Sequence, residues 1–405
     1  MALPLSRRAT LLGLGTAAFA GRTRLALAQA PTDRRFIVIL LRGALDGMNA
    51  VIPYGDPDLA RLRAPLIPAR DKILDLGGFF ALHPALKNLH GLYRANQLLP
   101  VHAIAGPYRT RSHFEAQDLL QTGVAEASIN SGWLNRLIIE LNAQNHPQPQ
   151  PNRASLGLAV GMGMPLLLRG PATIGSYAPI GFAKPSPDLY RRIAALNQPD
   201  PIFGPAIRHG IEAQKFDQTT LADHQTNHPN PTNPHAQTYG FTGLAQAAGT
   251  LLAAADGPRI AAFQLEGWDT HVNQINLLTP PLTGLDTGIA TLKSALGAAW
   301  AQTTILIVTE FGRTARINGT HGTDHGTATI AFLAGGTVAG GKVRTTWPGL
   351  KNTQLFQNRD LAPTADIRSL AKGTLQALFS LPPPALARIF PNSATAQPMT
   401  NLLHT

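Results

Sequence analysis

Cysteine is absent from all 405 residues, which excludes disulfides, thiolate nucleophiles and cysteine-ligated metals together. Charged residues are few, at 14%, while glycine (38) and proline (33) are plentiful. That balance favours many loops. Beyond the N-terminal segment no stretch reaches about 18 unbroken apolar residues, the length a membrane-spanning helix needs. Nor is there an interleaved pattern of basic and aromatic residues of the kind that binds nucleic acid. No internal repeat is visible. The length that remains is enough for a large core, as one α/β domain or a domain with a cap.

The first 28 residues have the form of an export signal. Ser6-Arg7-Arg8 precedes an apolar run from Leu11 to Ala20, and Ala26-Leu27-Ala28 offers a small-residue cleavage site. Paired arginines point to twin-arginine export, which carries folded proteins, and so to a periplasmic or secreted product with no membrane span once the signal is removed. Arg7, Arg8, Arg22 and Arg24 fall in this segment; without them the formal charge drops from +11 to +7. A diffuse charge of that size suits an acidic substrate or a basic proteome equally.

From residue 29 onward, buried strands alternate with helical patterns and end in polar clusters. Phe36 to Leu41 is the first such strand, and Asp46 follows its exit. An Asp there stands where open α/β sheets place ligands, although Asp46-Gly47 is also an ordinary turn pair. A helix is expected after Pro84, a strand over Val101–Ala105, and then Arg109, Arg111 and Ser112. Ser112 with Glu115 reads as a capping box; equally, a hydroxyl at a helix start sits in a field that stabilises an oxyanion. Further helices are expected over 132–142, 241–255, 285–302 and 365–380. Strands are expected over 156–160, 260–265, 304–309 and 329–333, with short ones after Gly340. Asp269 and His271 follow the 260–265 strand. Glu310, Arg313, Asp324 and His325 crowd the loop between the 304–309 and 329–333 strands. The segment 54–78 reads as irregular and 175–240 as an insertion or cap, with His224, His228 and His235 on a solvated loop. Four polar clusters at successive strand exits define one edge of one sheet.

Five motifs occur in order: Arg42-Gly43 with Asp46-Gly47 and Asn49; Ser112-His113-Phe114-Glu115-Ala116-Gln117; Gly267-Trp268-Asp269-Thr270-His271 with Asn273-Gln274; Thr309-Glu310-Phe311-Gly312-Arg313-Thr314; and Gly322-Thr323-Asp324-His325-Gly326. Together they resemble the bacterial, twin-arginine-exported domain-of-unknown-function family fifteen-oh-one, within the alkaline phosphatase and sulfatase superfamily. The resemblance implies a large, mostly parallel sheet between helices. It also implies a divalent-metal hydrolase of phosphate or sulfate esters acting through a seryl intermediate. Carried over by position, Ser112 is the expected nucleophile, with Arg313 or Arg109 neutralising the transferred group. Asp46, Asp269, His271, Glu310, Asp324 and His325 are the expected metal residues. Oxygen and nitrogen ligands without sulfur suit zinc or manganese, as one ion or two. Superfamily members usually show Asp-His after the strand equivalent to 304–309, where this chain has Glu310-Phe311, and they space the second pair more widely than Asp269 and His271. The expected partner is an anionic small-molecule or polysaccharide ester. The alternative is a secreted binding or assembly protein that keeps the fold over an eroded site.

Overall fold

A computed structural model describes residues 32–126, 129–145, 155–178 and 236–404, with isolated positions between 195 and 220. The export segment, the three loop histidines and nearly all of the expected 175–240 insertion lie outside the described residues.

Eight strands form one sheet: β1 (Arg35–Leu41), β2 (Leu98–Ala105), β3 (Gly157–Val160), β4 (Ile174–Tyr177), β5 (Ile260–Leu265), β6 (Thr303–Thr309), β7 (Thr329–Ala334) and β8 (Ala365–Asp366). Their order across the sheet is β8-β2-β7-β6-β1-β5-β3-β4. Seven run parallel; β7 runs against them, between β2 and β6. The chief helices are α1 (Lys87–Arg94), α2 (His113–Thr122), α3 (Trp133–Asn145), α4 (Ala236–Ala253), α5 (Gln274–Leu296) and α6 (Ile367–Phe379). The expectation of a mostly parallel sheet between helices is met.

The continuous apolar run of β1 has a direct cause. Successive strand residues face opposite sides, and here both sides are covered. Ile37, Ile39 and Leu41 enter one core, packed with Leu251 of α4 and Leu285 of α5. Phe36, Val38 and Leu40 enter the other, with Leu137 of α3 and Leu370 of α6. Parallel strands read as unbroken hydrophobic runs for this reason.

Three expectations need correction. The helix expected over 285–302 begins at Gln274 and ends at Leu296, with a 3-10 turn over Gly297–Gln302. Pro280 and Pro281 argue for a boundary, but Leu278 and Leu282 on either side are fully buried, and that packing carries the helix through. The segment 54–78 holds a helix over Leu59–Arg63. Of the short strands expected after Gly340, one forms, β8 at Ala365–Asp366, where the closing helix was expected to start; before it there are isolated bridges such as Val101 with Arg344, in a stretch interrupted by Pro348 and Gly349.

Strand register builds the functional edge. Leu41 pairs with both Leu265 and Thr309, so β1, β5 and β6 end level. Because β7 is antiparallel, it enters the sheet where the others leave it, with Thr329 opposite Ile104 of β2. The exits of β1, β2, β5 and β6 and the approach to β7 therefore meet at one edge. Ligands of open α/β sheets sit there.

Candidate metal centre

Three imidazoles converge at this edge. His113 is the first residue of α2, His271 lies beyond β5, and His325 lies just before β7. The Nε2 atom of His325 is 2.9 Å from that of His113 and 3.0 Å from that of His271. Asp269 Oδ1 completes the cluster, 3.0 Å from His271 Nε2, 3.3 Å from His325 Nε2 and 3.6 Å from His113 Nε2. His113, Asp269 and His325 together can offer donors to one ion; His271 lies against two of them, His325 and Asp269.

The other nitrogen of each ring decides what the Nε2 atoms carry. His113 Nδ1 meets Glu310 Oε1 at 2.7 Å, His271 Nδ1 meets Asp324 Oδ1 at 3.3 Å, and His325 Nδ1 meets the Arg111 carbonyl at 3.1 Å. Ionised carboxylates and carbonyls only accept, so each Nδ1 donates and a ring without a second proton turns its Nε2 lone pair inward. Nitrogen lone pairs and a carboxylate oxygen about 3 Å apart repel one another unless protons or cations are shared among them, and Arg313 supplies part of that charge by donating to His271 Nε2 at 3.3 Å and to Asp269. A tetrahedral ion with bonds of ~2.0–2.1 Å has donor-to-donor edges of ~3.3 Å, and the three edges among His113, His325 and Asp269 bracket that length. Histidines oriented by carboxylates and a carbonyl are the usual supports of such a site. The residues fit a divalent metal.

Local structure holds each donor in place. Glu310, 4% exposed at the end of β6, accepts from Gly43 N at 2.9 Å and Gln117 Nε2 at 3.0 Å as well as from His113. Burial would raise its pKa, but these hydrogen bonds outweigh it and hold it low. The same bond to Glu310 raises the pKa of His113. Burial lowers that of His325, helped by His113 and Arg313. Phe311 lies stacked against the His113 ring, with centroids 4.9 Å apart. Arg111 adopts a left-handed φ of +66°, and its side chain is held by the fully buried Asp360 at 2.9 Å.

Arg313 ties the exits together. Fully buried, it donates to the carbonyls of Ala44, Gly43, Trp268 and Thr323 and to Asp269 Oδ1. Burial pushes the Asp269 pKa up, yet Arg313 brings it below its ordinary value. Two glycines permit the close approach. A Cβ on Gly43, whose φ is +121°, would lie 2.7 Å from Asp269 N, and one on Gly322 would lie 2.1 Å from the His271 carbonyl oxygen.

Of the residues singled out from sequence, Asp269, His271 and His325 come together at one point. Glu310 and Asp324 stand one bond further out, each on a ligand's Nδ1. Asp46 is not brought to the cluster: it is fully buried, both its oxygens face Arg63 Nη1 at 2.9 Å, and Gln274 Nε2 donates at 2.7 Å. Arg109 donates to the Gly106 and Tyr108 carbonyls. Ser112 stands at the N-cap position with extended φ and ψ, but its side chain makes no cap hydrogen bond. The expected capping box does not form, because Glu115 accepts the Tyr108 hydroxyl instead. His113 went unremarked in the sequence beside Ser112. Its signal was an imidazole at the same strand-exit depth as the other clusters.

Solved structures with a similar arrangement include three of known source. A protein in the alkaline phosphatase superfamily from Vibrio parahaemolyticus has a TM-score of 0.40 and 11% identity, over 87% of this chain and 68% of its own. The phosphonate monoester hydrolase of Agrobacterium radiobacter has a TM-score of 0.37 and 10% identity, over 85% and 74%. The zinc complex of the C-terminal periplasmic domain of EcEptC from Escherichia coli has a TM-score of 0.32 and 9% identity, over 76% and 74%. No curated protein matches the sequence. Residues 90–390, most of the chain, match the family described as protein of unknown function, DUF1501, and the chain belongs to that family.

Proposed function

We propose that this chain is a single-ion, metal-dependent hydrolase of phosphate or sulfate esters, exported to act outside the cytoplasm on anionic small-molecule or polysaccharide esters. One observation carries this: three Nε2 atoms and a carboxylate oxygen converge at a sheet edge that solvent reaches. The side chains of His271 and Asp269 are 40% and 47% exposed, so a substrate can approach the outer face. Three nitrogens and one oxygen suit zinc, with manganese second. When bound, the ion would supply Lewis acidity to the oxygens of the transferring group.

The protein's own groups would do the rest. Arg313 holds Asp269 in place and adds a fixed positive charge against the anionic substrate. Ser112, immediately before His113 and without a cap bond, is the nucleophile. Its Oγ replaces the alcohol oxygen on phosphorus or sulfur, and the alcohol leaves with the serine proton. Water then replaces Oγ, releasing phosphate or sulfate and restoring the hydroxyl. Arg109, committed to loop carbonyls, stands outside the reacting set.

A second reading rests on the same donors. An ion held by protein ligands alone would be of the structural kind, which suits a metal-stapled binding or assembly protein. Metal analysis with phenyl phosphate and phenyl sulfate assays separates the two. The hydrolase reading expects one ion per chain, turnover of one ester, no turnover in His325→Ala, and at least a hundredfold loss in Ser112→Ala. One ion with turnover of neither ester supports the second reading, and absence of metal overturns both.

A further inference from the structure

Arg42 directly follows β1, and its side chain reaches α2 across the sheet edge. Its Nε and Nη2 atoms donate to Gln117 Oε1 at 3.0 and 2.6 Å. Nη1 donates to Gln264 Oε1 at 3.1 Å and pairs with Glu266 at 3.3 Å. Gln117 is buried one turn along α2 from His113, and its Nε2 donates to Glu310 Oε1 at 3.0 Å. That same oxygen accepts from His113 Nδ1 at 2.7 Å. An unbroken line of hydrogen bonds thus leads from Arg42, through Gln117 and Glu310, to a ring of the metal centre.

The donor and acceptor types fix the direction of every link. A guanidinium only donates and an ionised carboxylate only accepts. Gln117 stands between one of each, so its carbonyl oxygen faces Arg42 and its amide nitrogen faces Glu310. Two bonds from a charged donor anchor that oxygen, and they polarise the amide so that its N–H binds Glu310 more strongly. Without Arg42 the Gln117 side chain would be held only by the carboxylate that it steadies. We propose that Arg42 is a positioning residue for the metal centre: by anchoring Gln117 it fixes Glu310, and through Glu310 the ring of His113. This rests on the cluster holding a metal and not on the ester chemistry. An arginine that merely tied β1 to β5 and α2 would support the fold and leave the centre alone.

A double-mutant cycle read as zinc affinity, by competition with a chromophoric chelator, separates the two roles. Gln117→Met removes the bond to Glu310 itself and is expected to weaken zinc binding by about tenfold or more. Arg42→Met, one link further out, is expected to weaken it by about fivefold. The double variant is expected to bind no more weakly than Gln117→Met alone, because the two groups act through one link. Arg42→Lys, which can still donate to Gln117 Oε1, is expected to return to within about twofold of the wild type. The Arg42 side chain is 34% exposed and its backbone N–H is bonded to the Leu265 carbonyl, so the fold tolerates the changes. Wild-type affinity in Arg42→Met, losses that multiply in the double variant, or no recovery in Arg42→Lys overturns the positioning role and leaves the metal centre standing. Loss of the metal-free fold in Arg42→Met, read by circular dichroism, makes the arginine structural and overturns it too. Wild-type protein that binds no zinc overturns the positioning role and the metal centre together.

Discussion

Glu310 and Asp46 are both buried carboxylates at strand exits, yet their partners give them different work. Glu310 accepts from His113 Nδ1, so its charge orients a ligand and makes that imidazole a better donor. Asp46 accepts from Arg63, whose side chain is 1% exposed, so its charge neutralises a buried cation. Opposite consequences are expected. Glu310→Gln should weaken metal affinity by roughly 10–100-fold, the usual range for a supporting group, measured by competition with a chromophoric chelator. Asp46→Ala should leave that affinity nearly intact while costing on the order of 3 kcal/mol in urea unfolding, because Arg63 is left buried without its counter-charge. If Asp46→Ala strips the metal instead, the assignment of the ion to His113, His271, His325 and Asp269 is wrong.

At the scale of elements, β2 carries a second kind of histidine. His102 is fully buried, with Nε2 donating to the Val51 carbonyl at 3.0 Å and Nδ1 accepting from Ala103 N at 2.8 Å. The ring lies against Phe80 and Trp347. Burial pushes its pKa down to about 4, and does the same at His83. Both rings stay neutral in the fold below the pH at which the unfolded chain protonates them. Stability is therefore full above pH ~6.5 and is lost as pH falls from there towards 4, because the unfolded state binds more protons. Each shift corresponds to on the order of 3 kcal/mol. Urea midpoints between pH 7 and pH 4.5 should fall, and less steeply in His102→Gln. An unchanged slope would show that the ring is not held neutral. Elements were the most legible level of this sequence. β1, β5 and β6 announced themselves through unbroken apolar runs, which covered parallel strands must have. The start of α5 did not, because Pro280 and Pro281 signal a break that Leu278 and Leu282 override by packing. At the centre, Asp269, His271 and His325 could be singled out because each lies at a strand exit. The separation of ligands from supporting carboxylates could not, since Glu310 and Asp324 differ from Asp269 only in what stands opposite them.

Across the whole molecule, the cluster joins the start of α2, the exit of β5 and the approach to β7. An ion there cross-links three segments of the sheet edge that lie far apart in the sequence. It should therefore stabilise the fold by mass action, by about 4 kcal/mol at free metal a thousandfold above Kd. Removing metal with a chelator should lower the urea midpoint of the wild type. The His325→Ala protein should unfold at one midpoint with or without metal. Equal midpoints for metal-loaded and stripped wild-type protein would mean that the cluster does not hold an ion.

The one antiparallel strand also sets an order of events in synthesis. His113 and His325 stand 212 positions apart along the chain, and His325 reaches the edge only because β7 turns back into the sheet between β2 and β6. A growing chain has made His113 and even His271 long before the third imidazole leaves the ribosome. Until then no tight ion site exists, only isolated side chains with the weak affinity of an unfolded segment. Metal capture at this cluster would therefore be a late event that reports completion of the sheet. A chain that leaves its compartment of synthesis already folded would carry an ion chosen by the metals available there, and not by those at its destination.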